Sequence, residues 1–457
     1  MSRLFRVILL IILPTLASAN DVAFYQLPNG LQLFVQEDHR APVAVTQVWY
    51  KVGSGYEPNG ITGISHALEH MMFKGTPKYG PGKFAEIIAA NGGQMNAFTA
   101  NDFTAYYEIM AKDKLPLSFE LEADRMRNLS LDPAQFAKEI QVVMEERRMR
   151  VDDDPQMKLY ELFMAQAHVA SPYHHLTIGW MNDLQHLTVD DVRRWYQNWY
   201  APNNAILVVV GDVNPEAVHQ LALKYFGSLP ASQLPVVKPE AEIPTPGERN
   251  LVVKFPAELP LLAIGYNVPV IKTQGQSNDA YVLAVIAAIL DGGSSTRLNK
   301  DLVRGQQIAA QANASYSPYS RLSDLLILSG TPAPGHTIAE LKTALFNEIK
   351  KLQTSKVATD ELERVKAGVI ANKVFSQDSI ESQAEDIGSL EAVGLPWKLK
   401  EDFIQHISAV TPNDVQAVAS RYLVPENMTV AELQPLPLPK NQPSPPPPMI
   451  EGAKYVH

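Results

Sequence analysis

Apolar residues along this chain recur with two different periods, and the changes of period mark its elements. Leu31–Val35 and Val43–Tyr50 read as strands. After them Ile64, Leu68, Met71 and Met72 fall at i, i+4, i+7 and i+8, the core stripe of a helix. His66, Glu69, His70 and Phe73 share its other face, and Gly75 followed by Pro77 ends it. The succession then repeats. Strand-like runs at Asn250–Phe255 and Leu261–Tyr266 precede an apolar helix over Ala280–Leu290.

The repeat has a fixed offset of 223 residues. Leu187-Thr188-Val189-Asp190-Asp191-Val192 resembles Val410-Thr411-Pro412-Asn413-Asp414-Val415, and Pro202 and Asn204 match Pro425 and Asn427. Each copy reads as a helix capped by threonine, a Pro-Asn turn and a strand, Ala205–Val210 or Met428–Ala431. Residues 230–247 carry five prolines and little periodicity, so they read as a linker. Residues 434–457, with Pro445–Pro448, read as a polyproline tail. The expected fold is α+β: two homologous halves, 20–229 and 248–433, each an antiparallel-rich sheet covered by helices.

Composition narrows the partners. Arg3 and Arg6 precede an apolar run from Val7 to Leu16, and Ala17-Ser18-Ala19 is a cleavage site, so residues 1–19 read as a signal peptide. The run is too short to span a bilayer, and no later stretch is long and apolar enough. The expectation is an exported, periplasmic protein without membrane insertion. With no cysteine it has neither disulfides nor thiolate ligands. Its net charge of −10, or −12 once Arg3 and Arg6 are removed, disfavours nucleic acid.

His66-Ala67-Leu68-Glu69-His70 carries the chemistry. Histidines four apart on a helix converge on one metal ion, and Glu69 lies on the same face, placed to act as general base. Catalytic zinc takes three protein ligands, so one more donor is needed. Lys138–Arg150 reads as a helix ended by Asp152-Asp153-Asp154-Pro155, with Glu139 and Glu146 on one face, and Glu145 is a rival about 100° away.

These residues resemble the pitrilysin, insulinase and mitochondrial processing peptidase family, whose inverted zinc motif H-x-x-E-H is followed by a distant glutamate about 76 residues on; Glu146 is 76 after His70. The resemblance spans Val22 to Leu433 and implies that the two halves enclose a chamber. It implies one Zn2+ per chain on His66, His70 and Glu146, Glu69 as base, and Glu139 orienting a histidine. It also implies a peptide substrate held by β-augmentation on the strand Gln94–Thr99, with Asn96, Ala97 and Thr99 as contacts. The alternative for that segment is an internal strand that binds nothing. Tyr173-His174-His175 also looks like the family's bacterial members, with a structural or rim role.

One feature departs from the family. After the turn Gly292-Gly293-Ser294-Ser295-Thr296-Arg297-Leu298, the family's substrate-binding Arg/Tyr pair falls on Val303 and Ala310; Arg304 is adjacent, but Gln311 lies seven after it. A heterodimer with a homologous subunit bearing Arg/Tyr is the favoured expectation. A homodimer, or a pair displaced by a few residues, is the alternative. A zinc endopeptidase is the leading reading of function, against a non-catalytic scaffold of an envelope complex or another zinc hydrolase.

Overall fold

The computed structural model describes residues 22–243 and 247–438. The signal-peptide reading and most of the proline tail fall outside these residues. The first half contains strands β1 (Val22–Gln26), β2 (Gln32–Glu37), β3 (Val43–Tyr50), β4 (Gln94–Thr99), β5 (Thr104–Ala111) and β6 (Ala205–Gly211). The second contains β7 (Arg249–Pro256), β8 (Leu261–Val268), β9 (Ala309–Ser315), β10 (Asp324–Pro332) and β11 (Met428–Leu436). Their orders are β1-β2-β6-β3-β5-β4 and β7-β11-β8-β10-β9. Each sheet has one parallel pair, β2 with β6 and β7 with β11, at the same place in the order. The duplication therefore extends to topology, and among the described residues β1 is the one strand without a counterpart.

Helices in the first half are α1 (Ile64–Met71), α2 (Lys83–Ala90), α3 (Leu115–Asn128), α4 (Pro133–Arg147), α5 (Pro155–Ala167), α6 (Met181–His186), α7 (Val189–Trp199) and α8 (Pro215–Phe226). The second half has α9 (Asp279–Leu290), α10 (Ile338–Thr354), α11 (Thr359–Phe375), α12 (Ile380–Ala392), α13 (Leu399–Ala409) and α14 (Pro412–Tyr422). Thr188 and Thr411 each close a capping box, with Asp191 and Asp414, at the start of α7 and α14. Asn204 and Asn427 donate to Trp199 O and Tyr422 O, the matching carbonyl in each copy.

Sheets covered by helices is the correct description, but the covering is exchanged. One face of the first sheet, including Leu33, Val35, Val48 and Leu207, packs on helices of its own half. Its other face, with Phe34, Val45, Trp49 and Val208, takes α12 of the second half through Ala384, Ile387 and Leu390. Reciprocally, α5 of the first half lays Leu159, Phe163 and Ala167 on Val253, Ala263 and Leu433 of the second sheet. Strands buried on both faces explain why β6 reads as an unbroken apolar run. Between the halves lies a cavity of about 890 Å³ lined by His66, Glu69, Arg150, Tyr160, Tyr319 and Glu385 among others.

Several boundaries differ from the sequence reading. α4 starts at Pro133 because Asp132 caps it, accepting from Gln135 N, and it ends at Arg147 in a wider turn over Arg148–Asp152. Asp154-Pro155 starts α5 rather than ending α4, since Asp154 accepts from Gln156 N and Met157 N. β11 continues to Leu436, where it pairs with β7 alone and Pro435 is tolerated at a sheet margin.

Candidate metal centre

The start of α1 is fixed before its histidines are reached. Its first amides would be orphans in a buried site. Glu57 accepts from Gly63 N at 2.7 Å and Ser65 N at 2.8 Å, while Asp183 accepts from Thr62 N, Thr62 Oγ1 and Gly60 N. Burial raises the Glu57 carboxyl to about 7 in spite of those donors. Gly63 and Gly179 both have positive φ and touch backbone to backbone: a Cβ on Gly179 would lie 2.4 Å from Gly63 N. Only glycine allows that approach.

From this seat His66 and His70 project towards Glu146 of α4. His66 Nε2 and His70 Nε2 lie 3.8 and 3.4 Å from Glu146 Oε2, and the three residues each offer a donor within 4.8 Å of the others. Donors about 2.0–2.1 Å from a tetrahedral ion stand roughly 3.3 Å from one another. Two imidazole nitrogens, one carboxylate oxygen and an opening onto the chamber fit catalytic zinc. His70 Nδ1 faces Glu139 Oε1 at 2.9 Å, which makes Nδ1 the donor and leaves Nε2 its lone pair. Lys74 Nζ, 2.6 Å from Glu139 Oε2, holds that carboxylate in turn. Burial works against the charged form of His70, yet Glu146 and Glu139 outweigh it and raise its pKa. Burial also opposes ionisation of Glu146, but His70, His66 and Arg150 hold it at about 2. Glu145 points away, exposed and paired with Arg148 at 2.8 Å.

Glu69 stands beside these donors. Its buried carboxyl accepts from Thr99 Oγ1 at 2.5 Å, and burial outweighs that bond to raise it to about 7. Thr99 ends β4, which pairs with β5 on one side only and so presents a free edge. Ala97 N turns to that edge, where Asn96 Oδ1 caps it at 2.9 Å.

Residues 33–176 match the family described as Insulinase (Peptidase family M16), and residues 186–369 the one described as Peptidase M16 inactive domain. The chain is 34% identical over 425 residues to a Helicobacter pylori protein named Zinc protease PqqE, spanning 90% of this chain and 92% of that one. It belongs to peptidase family M16. The crystal structure of a protease from Helicobacter pylori superposes on this M16 chain with a TM-score of 0.85 at 31% identity, covering 91% of this chain and all of that one. The periplasmic protease PqqL from Escherichia coli shares the fold (TM-score 0.77, 18% identity), and this chain, 91% covered, spans 48% of its length.

The remaining sequence candidates of the M16 chain fall in several places. No second cluster of metal donors occurs among the described residues, and α9, the counterpart of α1, is apolar throughout its core face. Val303 packs against the second core and Ala310 is exposed on β9, an edge strand. Arg304 donates to Ser294 O. His175 lines the chamber, where burial lowers it to about 4, whereas His174 faces Asn59 and Ser171 O at the surface. Lys74 and Arg150 were not singled out from sequence. Each lies four residues from a donor, His70 or Glu146, which is the available signal.

Proposed function

We propose that this M16 chain is a zinc-dependent endopeptidase for peptides or unfolded segments that fit the chamber, with one zinc per chain on His66, His70 and Glu146. The observation that carries the reading is the convergence of those three donors beside Glu69 and the open edge of β4. Zinc held there supplies a Lewis acid that polarises the scissile carbonyl and makes water acidic enough to attack at neutral pH. Glu69 takes the proton of the attacking water and delivers it to the leaving amine, a role its place beside the three donors suits. Glu139, tied to Lys74, keeps His70 in the tautomer that presents Nε2. A substrate strand would add to β4 beside Ala97, with the Asn96 carboxamide swinging off the amide it now caps.

Val303 and Ala310 offer no cation or phenol on the second half, which favours pairing with a homologous subunit that carries them. A periplasmic setting agrees with Arg3, Arg6, the Val7–Leu16 run and Ala17-Ser18-Ala19, and with the name of the Escherichia coli fold neighbour. The test is Glu69→Gln, assayed with and without the partner subunit. Cleavage should fall by about 10²–10⁴-fold while zinc content stays at one per chain. Undiminished cleavage in that variant refutes the reading.

A further inference from the structure

We propose that Arg147 and Glu161 are positioning residues that couple the seating of α5 on the second sheet to the placement of Glu146. The inference deepens the metal reading above and rests on it. Arg147 follows Glu146 directly and is 2% exposed. Its Nη1 lies 2.7 Å from Glu161 Oε1 on α5 and donates to Gly179 O at 2.5 Å, and its Nη2 is 3.3 Å from Asp152. Gly179 is the residue whose backbone abuts Gly63 at the start of α1. One guanidinium thus joins the helix bearing Glu146, the loop bracing the histidine helix, and α5.

α5 is gripped from its other side by the second half. Phe163, two residues and about 200° from Glu161, packs on Gly265 of β8, where a Cβ would lie 2.5 Å from Phe163 Cζ. A displacement of α5 there is carried to Glu161, then to Arg147, then to the neighbouring Glu146. Arg148–Asp152, a π-helical turn continuous with α4, also links the two helices, and the Arg147–Glu161 contact at 2.7 Å ties them side chain to side chain.

The duplication supplies a matched control. In the reciprocal contact α12 places Gly388 on Trp49 of β3, and a Cβ there would lie 2.2 Å from the indole. Gly388→Ala crowds the same kind of inter-half contact, but α12 bears nothing bonded to Arg147 or Glu161. Both alanine variants should lower the melting temperature. Zinc affinity, measured by chelator competition, and the cobalt(II) absorption spectrum should separate them.

Gly265→Ala is expected to weaken zinc binding about tenfold and alter the cobalt bands, the scale of effect seen for outer-shell changes. Gly388→Ala should stay within about twofold. In a Glu161→Gln background, itself weakened about tenfold, Gly265→Ala should add no further loss, the signature of coupled sites. Equal effects of the two glycine variants overturn the proposal, as does an undiminished Gly265→Ala effect in the Glu161→Gln chain. If Glu161→Gln fails to fold, the glycine pair decides alone. A wild-type chain that binds no zinc overturns the metal reading itself, whereas a wild-type chain that binds zinc with both glycine variants unaffected overturns only the coupling.

Discussion

A carboxylate proposed to receive a proton on one oxygen is best held by the other, and Thr99 provides that hold for Glu69. Its hydroxyl donates to Glu69 Oε2 at 2.5 Å from the end of β4, so the proposed base and the edge strand share one residue. Along a strand, residues 97 and 99 face one way and 96 the other. The Thr99 hydroxyl is engaged by Glu69, while the substrate contacts expected at Asn96, Ala97 and Thr99 rest on the backbone edge of the strand. Thr99→Val should lower kcat about tenfold with KM little changed, as loss of a hydrogen bond to a charged group implies, and Thr99→Ser should restore it. Steady-state kinetics on one peptide check this; a valine variant with full kcat would free Thr99 from that role. Lys74 works at the same scale, fixing Glu139 at 2.6 Å so that Glu139 can fix His70.

α1 has eight residues, too few to persist alone, so its register depends on what meets its ends. Glu57 satisfies two of its first amides, and removing it leaves them buried and unpaired. Glu57→Ala should cost about 1–3 kcal/mol, read as a lower urea midpoint, and should weaken zinc binding because His66 lies in that first turn. Glu57→Gln, which keeps one acceptor, should lose less; an alanine variant as stable as wild type would remove the bracing role. The helix itself was legible in the sequence, since H-x-x-E-H and its apolar stripe obey one local period. The braces were not. Glu57 and Asp183 reach α1 from outside it, Asp183 from more than a hundred residues away, and no periodicity marks such a contact. Helix bounds depend on caps that a local period does not mark: Asp132-Pro133 starts α4, and Asp154-Pro155, which reads as a helix end, begins α5.

Across the whole molecule, the repeat announced two halves, but their exchange of α5 and α12 could not be read from it. Both helices carry a small-against-large contact with the opposite sheet, and the sizes are inverted: Gly388 on Trp49, Phe163 on Gly265. Inversion shows only when the two copies are superposed in space. The linker is likewise more than a spacer. Glu242 accepts from Val169, Ala170 and Ser171 N at 2.9, 3.3 and 3.1 Å, pinning residues just beyond α5. Burial raises its pKa, but the His168 ring and the amides of Ser171, Ile243 and Ala170 outweigh it and hold it at about 2, below its ordinary 4.5. A carboxyl lowered on folding stabilises fully above its unfolded pKa and loses that contribution as pH falls through the folded one. The clasp should therefore be complete near pH 5 and released progressively from about 4.5 to 2. Cleavage of the linker by an acid-active protease should rise through that window in the wild type. Glu242→Gln should be cut faster than wild type at pH 5, with the difference closing towards pH 2, because the wild-type carboxyl is by then protonated too. Equal cleavage of the two chains at pH 5 would mean that the linker is held by its neighbours and that Glu242 merely rests among the amides it faces.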